Sequence, residues 1–132
     1  MQLNISPDKN KAQSLVEMAK ITLQRLKETD EEKYPSNTLT DYYDCIHKIM
    51  EALAFLEGIK IKGEGSHQEL IDYTCGKYQF EESIRIFTQE IRNNRNRISY
   101  EGFMVHSNYI KNNMKRIEFI ITRLIEIFNS KN

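Results

Sequence analysis

The chain has 132 residues, a length that fits one domain built on one hydrophobic core. Hydrophobic residues make up 39% and charged residues 29%, with 19 lysines and arginines against 19 aspartates and glutamates. No global field therefore draws the chain to a polyanion or a membrane, and any such affinity must be local.

The first helix is expected to open at "SPD", with Ser6 as N-cap and Pro7 at the first helical position, and to run to about Thr29 with Leu15, Ala19, Thr22 and Leu26 on one face. The polar "ETDEEKYPSN" reads as a connection. A second helix is expected from Thr40 and Asp41 to Gly58, with Tyr42, Cys45, Ile46, Ile49, Leu53 and Leu56 spaced three and four apart. "GIKIKGEG" alternates briefly, but three glycines in eight residues favour a loop over a strand. Ser66 and Glu69 of "SHQE" have the spacing of a capping box, which predicts a short helix that stops at Gly76. Phe80, Ile84, Phe87 and Ile91 form the stripe of a long fourth helix. A last helix, from about Ser107 to Asn129, carries Ile110, Met114, Ile117, Ile121, Leu124 and Phe128. Four long helices and one short helix predict an all-α antiparallel bundle forming a single domain over residues 1–132.

Several chemistries have no support. Cys45 and Cys75 lie thirty residues apart with no Cys-x-x-Cys and no histidine cluster at metal spacing, so no metal site and no cofactor are expected. Nothing at the N-terminus reads as a secretory signal, and the thiols are expected to be reduced in a cytoplasmic protein. No apolar run approaches the roughly 20 residues that span a bilayer. No glycine-rich phosphate loop, Gly-x-Ser-x-Gly elbow or His-Glu-x-x-His helix occurs.

One segment breaks the even mixing of charge: "RNNRNRISYEG", residues 92–102, with three arginines and three asparagines in six positions and no acid among them. At about 100° per residue, one further turn of the Phe80–Ile91 stripe places Arg95 near its middle and Ile98 back upon it, whereas Arg92 and Arg97 point away. Arg95 thus stands where the pattern asks for an apolar side chain, and its guanidinium must find a partner or line a cleft. A purely structural alternative stands beside this. Glu81, Glu82 and Glu90 come early in the helix and the arginines late, an arrangement that complements the helix macrodipole.

With "YYDCIHKIMEALAFLEG" in its second helix, "SHQELI" just after it, and Arg-Asn leading into the last long helix, the chain resembles the HEPN domains (higher eukaryote and prokaryote nucleotide-binding) over most of its length. Members carry an Arg, usually followed by a polar residue, and a His a few residues later. Arg95 and Asn96 match the start of that motif, and Tyr100 stands where the histidine is expected. The resemblance implies homodimers whose motifs face each other across a cleft and, in active members, metal-independent cleavage of RNA. It also implies pairing with a small nucleotidyltransferase in toxin–antitoxin systems.

On that reading Arg95 supplies a cation for phosphate, Arg92 and Arg97 guide the backbone, and Asn96 and Tyr100 complete an RNA- or nucleotide-binding set. Tyr100, with an ordinary pKa of about 10, suits a hydrogen-bond donor or an acid better than a base. The departure therefore weakens catalysis more than it weakens binding. His106 is a candidate substitute acid or base, although its place before Ser107 also suits a plain helix start. His47 lies beside the apolar face of the second helix, within reach of the same cleft. His67, one residue into the capping box, reads as a surface residue. Tyr78, Tyr100 and Tyr109 are candidates for stacking bases, against the commoner role of core aromatics. The functions left open are an RNA- or nucleotide-binding module, a metal-independent endoribonuclease and an inert helical dimer.

Overall fold

The computed structural model describes residues 1–131. Five helices form the expected all-helical bundle: α1 (Lys9–Lys27), α2 (Pro35–Leu56), α3 (Ser66–Lys77), α4 (Glu82–Glu101) and α5 (Ser107–Lys131). The helix at the centre is α2, which packs against each of the other four. Its second half is apolar nearly all round, with Ile49, Met50, Ala52, Leu53, Ala54 and Phe55 all buried, the pattern of a helix surrounded by neighbours. Phe87 and Ile91 from α4, and Ile110, Ile117, Ile120 and Leu124 from α5, close the core around it.

The boundaries depart from the sequence expectation where tertiary contacts outbid local signals. Asp8, not Ser6, caps α1: its carboxylate accepts from the Lys11 amide at 3.0 Å. The shift follows from the preceding segment, which is pinned to the end of α2 by bonds from the Ile5 amide to the Gly58 carbonyl (2.8 Å) and from the Asp8 amide to the Phe55 carbonyl (3.1 Å). Helix α2 starts at Pro35, a turn and a half before the expected Thr40, with proline at the first helical position. The extra residues bury Thr38 and Leu39. Thr38 Oγ1 donates to the Glu31 carbonyl at 2.9 Å, and the Ser36 hydroxyl accepts from the Val105 amide at 3.0 Å.

The segment expected to be a loop contains a strand. β2 (Ile59–Ile61) pairs antiparallel with β1 (Gln2–Asn4), Leu3 opposite Lys60. A two-stranded ribbon is marginal by itself, and here the apolar Ile59 and Ile61 pack onto the core. The expected capping box at Ser66 does not form. Gly65, in the left-handed conformation at φ +75°, is the N-cap, and no side chain caps α3. Glu69 instead accepts from the Met1 amine at 2.7 Å. Gly102, also left-handed, ends α4, with the Phe103 amide bonded to the Arg97 carbonyl at 3.2 Å.

Candidate functional site

Because α3 follows β2 after a short Gly63–Glu64–Gly65 turn, its first residues face the C-terminal half of α4. Between them lies a groove of about 590 Å³ lined by residues 63–68 on one side and by Arg92, Arg95, Asn96 and Tyr100 on the other. Four of the five residues proposed from the arginine-rich segment thus share one surface. Arg92, expected to point away, lines the groove with Arg95 because the two are three residues apart and share a helix face.

Arg95 is neither plainly structural nor plainly free. Its side chain is 23% exposed, and one terminal nitrogen lies 3.4 Å from an Asp44 carboxylate oxygen on α2. Its guanidinium carbon sits 6.0 Å from the centre of the Tyr43 ring. Its Nε is the one buried side-chain nitrogen or oxygen without a hydrogen-bond partner among the described residues. Arg92 Nε donates to the Gln89 amide oxygen at 2.7 Å, and among the described residues no carboxylate pairs with it. Two guanidiniums therefore share a groove whose lining carries one carboxylate, Glu64, which is not at ion-pair distance from either, and the uncapped first turn of α3 adds its positive helix end to the same space.

Arg97 and His106 lie elsewhere. Arg97 is exposed, stacked 3.9 Å over the Phe103 ring with Glu101 at 4.0 Å. His106 is exposed at the start of α5, where its carbonyl accepts from the Tyr109 amide, the plain helix-start role. Tyr100 stands at the rim, 81% exposed. Tyr78 and Tyr109 are tied inward by hydrogen bonds to Glu57 and Glu90, so neither is a free stacking surface.

Sequence reasoning placed His67 at the surface, and there the structure differs most. His67 lines the groove beside Arg95 and also forms part of the wall of a second, smaller cavity of about 140 Å³ bounded by His47, Glu51, Phe55 and Leu70. The Tyr43 hydroxyl and His67 Nδ1 are 2.9 Å apart, and the His47 and His67 rings are stacked with centres 3.9 Å apart, inclined by 19°. Burial, and then the neighbouring imidazole of His67, push the His47 pKa down to about 3. Burial and the Arg95 guanidinium hold His67 below the ordinary range, partly offset by Asp44. Burial pushes the Tyr43 phenol well up, so it stays protonated. The legible signal was on α2, not α3: Tyr43, Asp44 and His47 place polar groups within about one turn on an otherwise core-facing helix.

Among the described residues no group of three or more His, Cys, Asp or Glu is close enough to hold a metal ion, and no helix is long and apolar enough to cross a membrane. Cys45 and Cys75 are both free and buried. Compared with family models, with curated proteins and with solved structures, the chain shows no match.

Proposed function

We propose that the groove between α4 and residues 63–68 holds a phosphate-bearing ligand, RNA or a nucleotide, and that the chain acts as a HEPN-like binding module, dimeric and partnered by a nucleotidyltransferase. One observation carries the ligand class. Arg92 and Arg95 face one groove and, among the described residues, only Asp44 is at ion-pair distance from either, while Arg95 keeps a buried N–H with no acceptor. Guanidinium forks match phosphate oxygens in pairs, and an acceptor delivered by the ligand satisfies a donor that the fold leaves open. The exposed Tyr100 ring at the rim offers a face on which a base stacks.

The test is binding of a short oligoribonucleotide without terminal phosphates beside a nucleoside triphosphate, each at low and moderate salt. The two arms separate polymer from nucleotide. Contacts to two or three phosphates predict a loss of about tenfold in affinity for the oligoribonucleotide between 50 and 200 mM salt. Arg95→Ala removes binding, Arg95→Lys does not restore it because the fork is lost, and Arg97→Ala, outside the groove, changes it little. Arg95→Ala that binds as the parent does but melts much lower makes Arg95 a structural residue and ends this reading.

A second reading, metal-independent RNA cleavage, is favoured by one feature: His67 brings to the groove the imidazole that the arginine motif lacks at Tyr100. Cleavage that survives EDTA and is lost in Arg95→Ala would establish it, and intact RNA after prolonged incubation with the wild-type protein rejects it.

A further inference from the structure

We infer that His67 is a third anion ligand of the groove, one that becomes cationic only when the groove is filled, so that binding takes up a proton. The inference rests on the phosphate reading above and assigns a residue and a charge state to the same site.

The geometry supports it from three sides. His67 lies in the groove lining with Arg92 and Arg95, close enough for their charges to bear on it. Its ring is held in place by the 2.9 Å contact of Nδ1 with the Tyr43 hydroxyl on one edge and by the stacked His47 ring on one face. Among the described residues Nε2 has no hydrogen-bond partner, which leaves it available to a ligand. A rigidly held imidazole beside two guanidiniums has a defined place in an anion site, and its charge is set by what the groove contains.

The surrounding charges decide the sign. From α4, Arg92 and Arg95 oppose protonation; from α2, Asp44 favours it, while the neutral His47, with Lys48 and Glu51 near it, covers the ring. From the turn before α3, Glu64 lies at the groove, and Lys60 of β2 lines the smaller cavity. Without an anion, burial and the two arginines disfavour the imidazolium of His67. An anion between the guanidiniums offsets their repulsion and adds an opposite charge near Nε2, which favours the imidazolium. In the imidazolium both ring nitrogens are donors: Nδ1–H donates to the phenol oxygen, and Nε2–H is the donor left for the anion.

Sulfate is the probe, because it stays a dianion from about pH 5 to 8, the range in which a histidine titrates, so any change in affinity belongs to the protein. Proton NMR of the wild-type protein follows the His67 ring, assigned by its loss in His67→Gln. The expected result is a rise of about one unit or more in the His67 pKa at saturating sulfate, and sulfate binding at least about threefold tighter at pH 5.5 than at pH 8. His67→Gln flattens that dependence, and His106→Gln, at the exposed start of α5, leaves it unchanged. Sulfate that binds through Arg95 while the wild-type His67 pKa stays fixed overturns this inference and leaves the phosphate reading standing. No sulfate binding at either pH overturns both.

Discussion

Arg95 shows how far one side chain could be read from sequence. Helical spacing put it on the apolar stripe, and the structure agrees: the residue is largely buried, against Tyr43. The identity of its neighbours was not legible, because Asp44, Tyr43 and His67 come from α2 and α3, fifty-one, fifty-two and twenty-eight positions earlier, and helix period says nothing about which turn of which helix lies opposite. His67 was misplaced for a related reason. "SHQE" has capping-box spacing, but the left-handed Gly65 takes the N-cap and frees Ser66 and His67 to face α4. Asp44 then yields a prediction. Among the described residues it is the only counter-charge at ion-pair distance from Arg95, at 3.4 Å, and it competes with any anion for that guanidinium. Asp44→Asn should bind an oligoribonucleotide several-fold more tightly, with a change in stability within about 1 kcal/mol, since the pair is partly exposed. Weaker binding in Asp44→Asn would mean that the carboxylate aims the guanidinium instead of competing for it.

At the scale of elements, the existence and order of the five helices were readable from apolar periodicity, and their ends were not. Helix α2 gained its first turn from contacts with Glu31 and Val105, and α1 lost its expected start because residues 5–8 are tied across to the end of α2. The strand pair was missed because its partner, Gln2–Asn4, lies some fifty-seven positions before Ile59–Ile61, beyond any local pattern. Gly58 is the hinge that lets these pieces meet. Its φ is +72°, and a Cβ there would stand 2.7 Å from the Ile5 carbonyl oxygen. That oxygen cannot retreat easily, since the Ile5 amide is bonded to the Gly58 carbonyl. Gly58→Ala is expected to cost about 2 kcal/mol or more through backbone strain and contact together, seen as a lower urea midpoint. Gly63→Ala, also at positive φ (+93°) but with open space around it, should lose only about 1 kcal/mol. Equal losses for the two would show that the Ile5 contact relaxes at no cost.

Stability and assembly of the whole molecule follow from the same end of the bundle. His47 is largely covered on the central helix with its pKa down at about 3, and Glu51, 3.9 Å away and 42% exposed, does not offset that desolvation. The unfolded chain therefore binds a proton at His47 near the ordinary value of about 6.5, while the folded chain resists it until about 3. The stability this contributes is complete above about pH 6.5 and is lost as pH falls toward 3. Urea unfolding should show a loss of about 1–2 kcal/mol between pH 6.5 and 5, reduced in His47→Gln; a flat profile would mean that the folded ring accepts a proton readily.

Tyr100, at the rim of the arginine groove, and Met104, in the segment that follows α4, are exposed by 81% and 78%. With a net charge of zero, long-range repulsion between copies does not oppose pairing, whereas the arginines would repel locally. If the chain pairs as proposed, a two-fold contact through this end would cover both apolar side chains and bring two grooves together, each supplying Arg92 and Arg95 to one bound anion. Light scattering at micromolar concentration is expected to give a mass above that of one chain, rising toward twice the chain mass when sulfate or oligoribonucleotide is added because the anion relieves the arginine repulsion. Met104→Glu, which puts a charge into the covered surface, should shift the protein to monomer while leaving its helical circular dichroism unchanged. A monomer in the wild-type protein, with or without the anion, would assign the groove to a single chain.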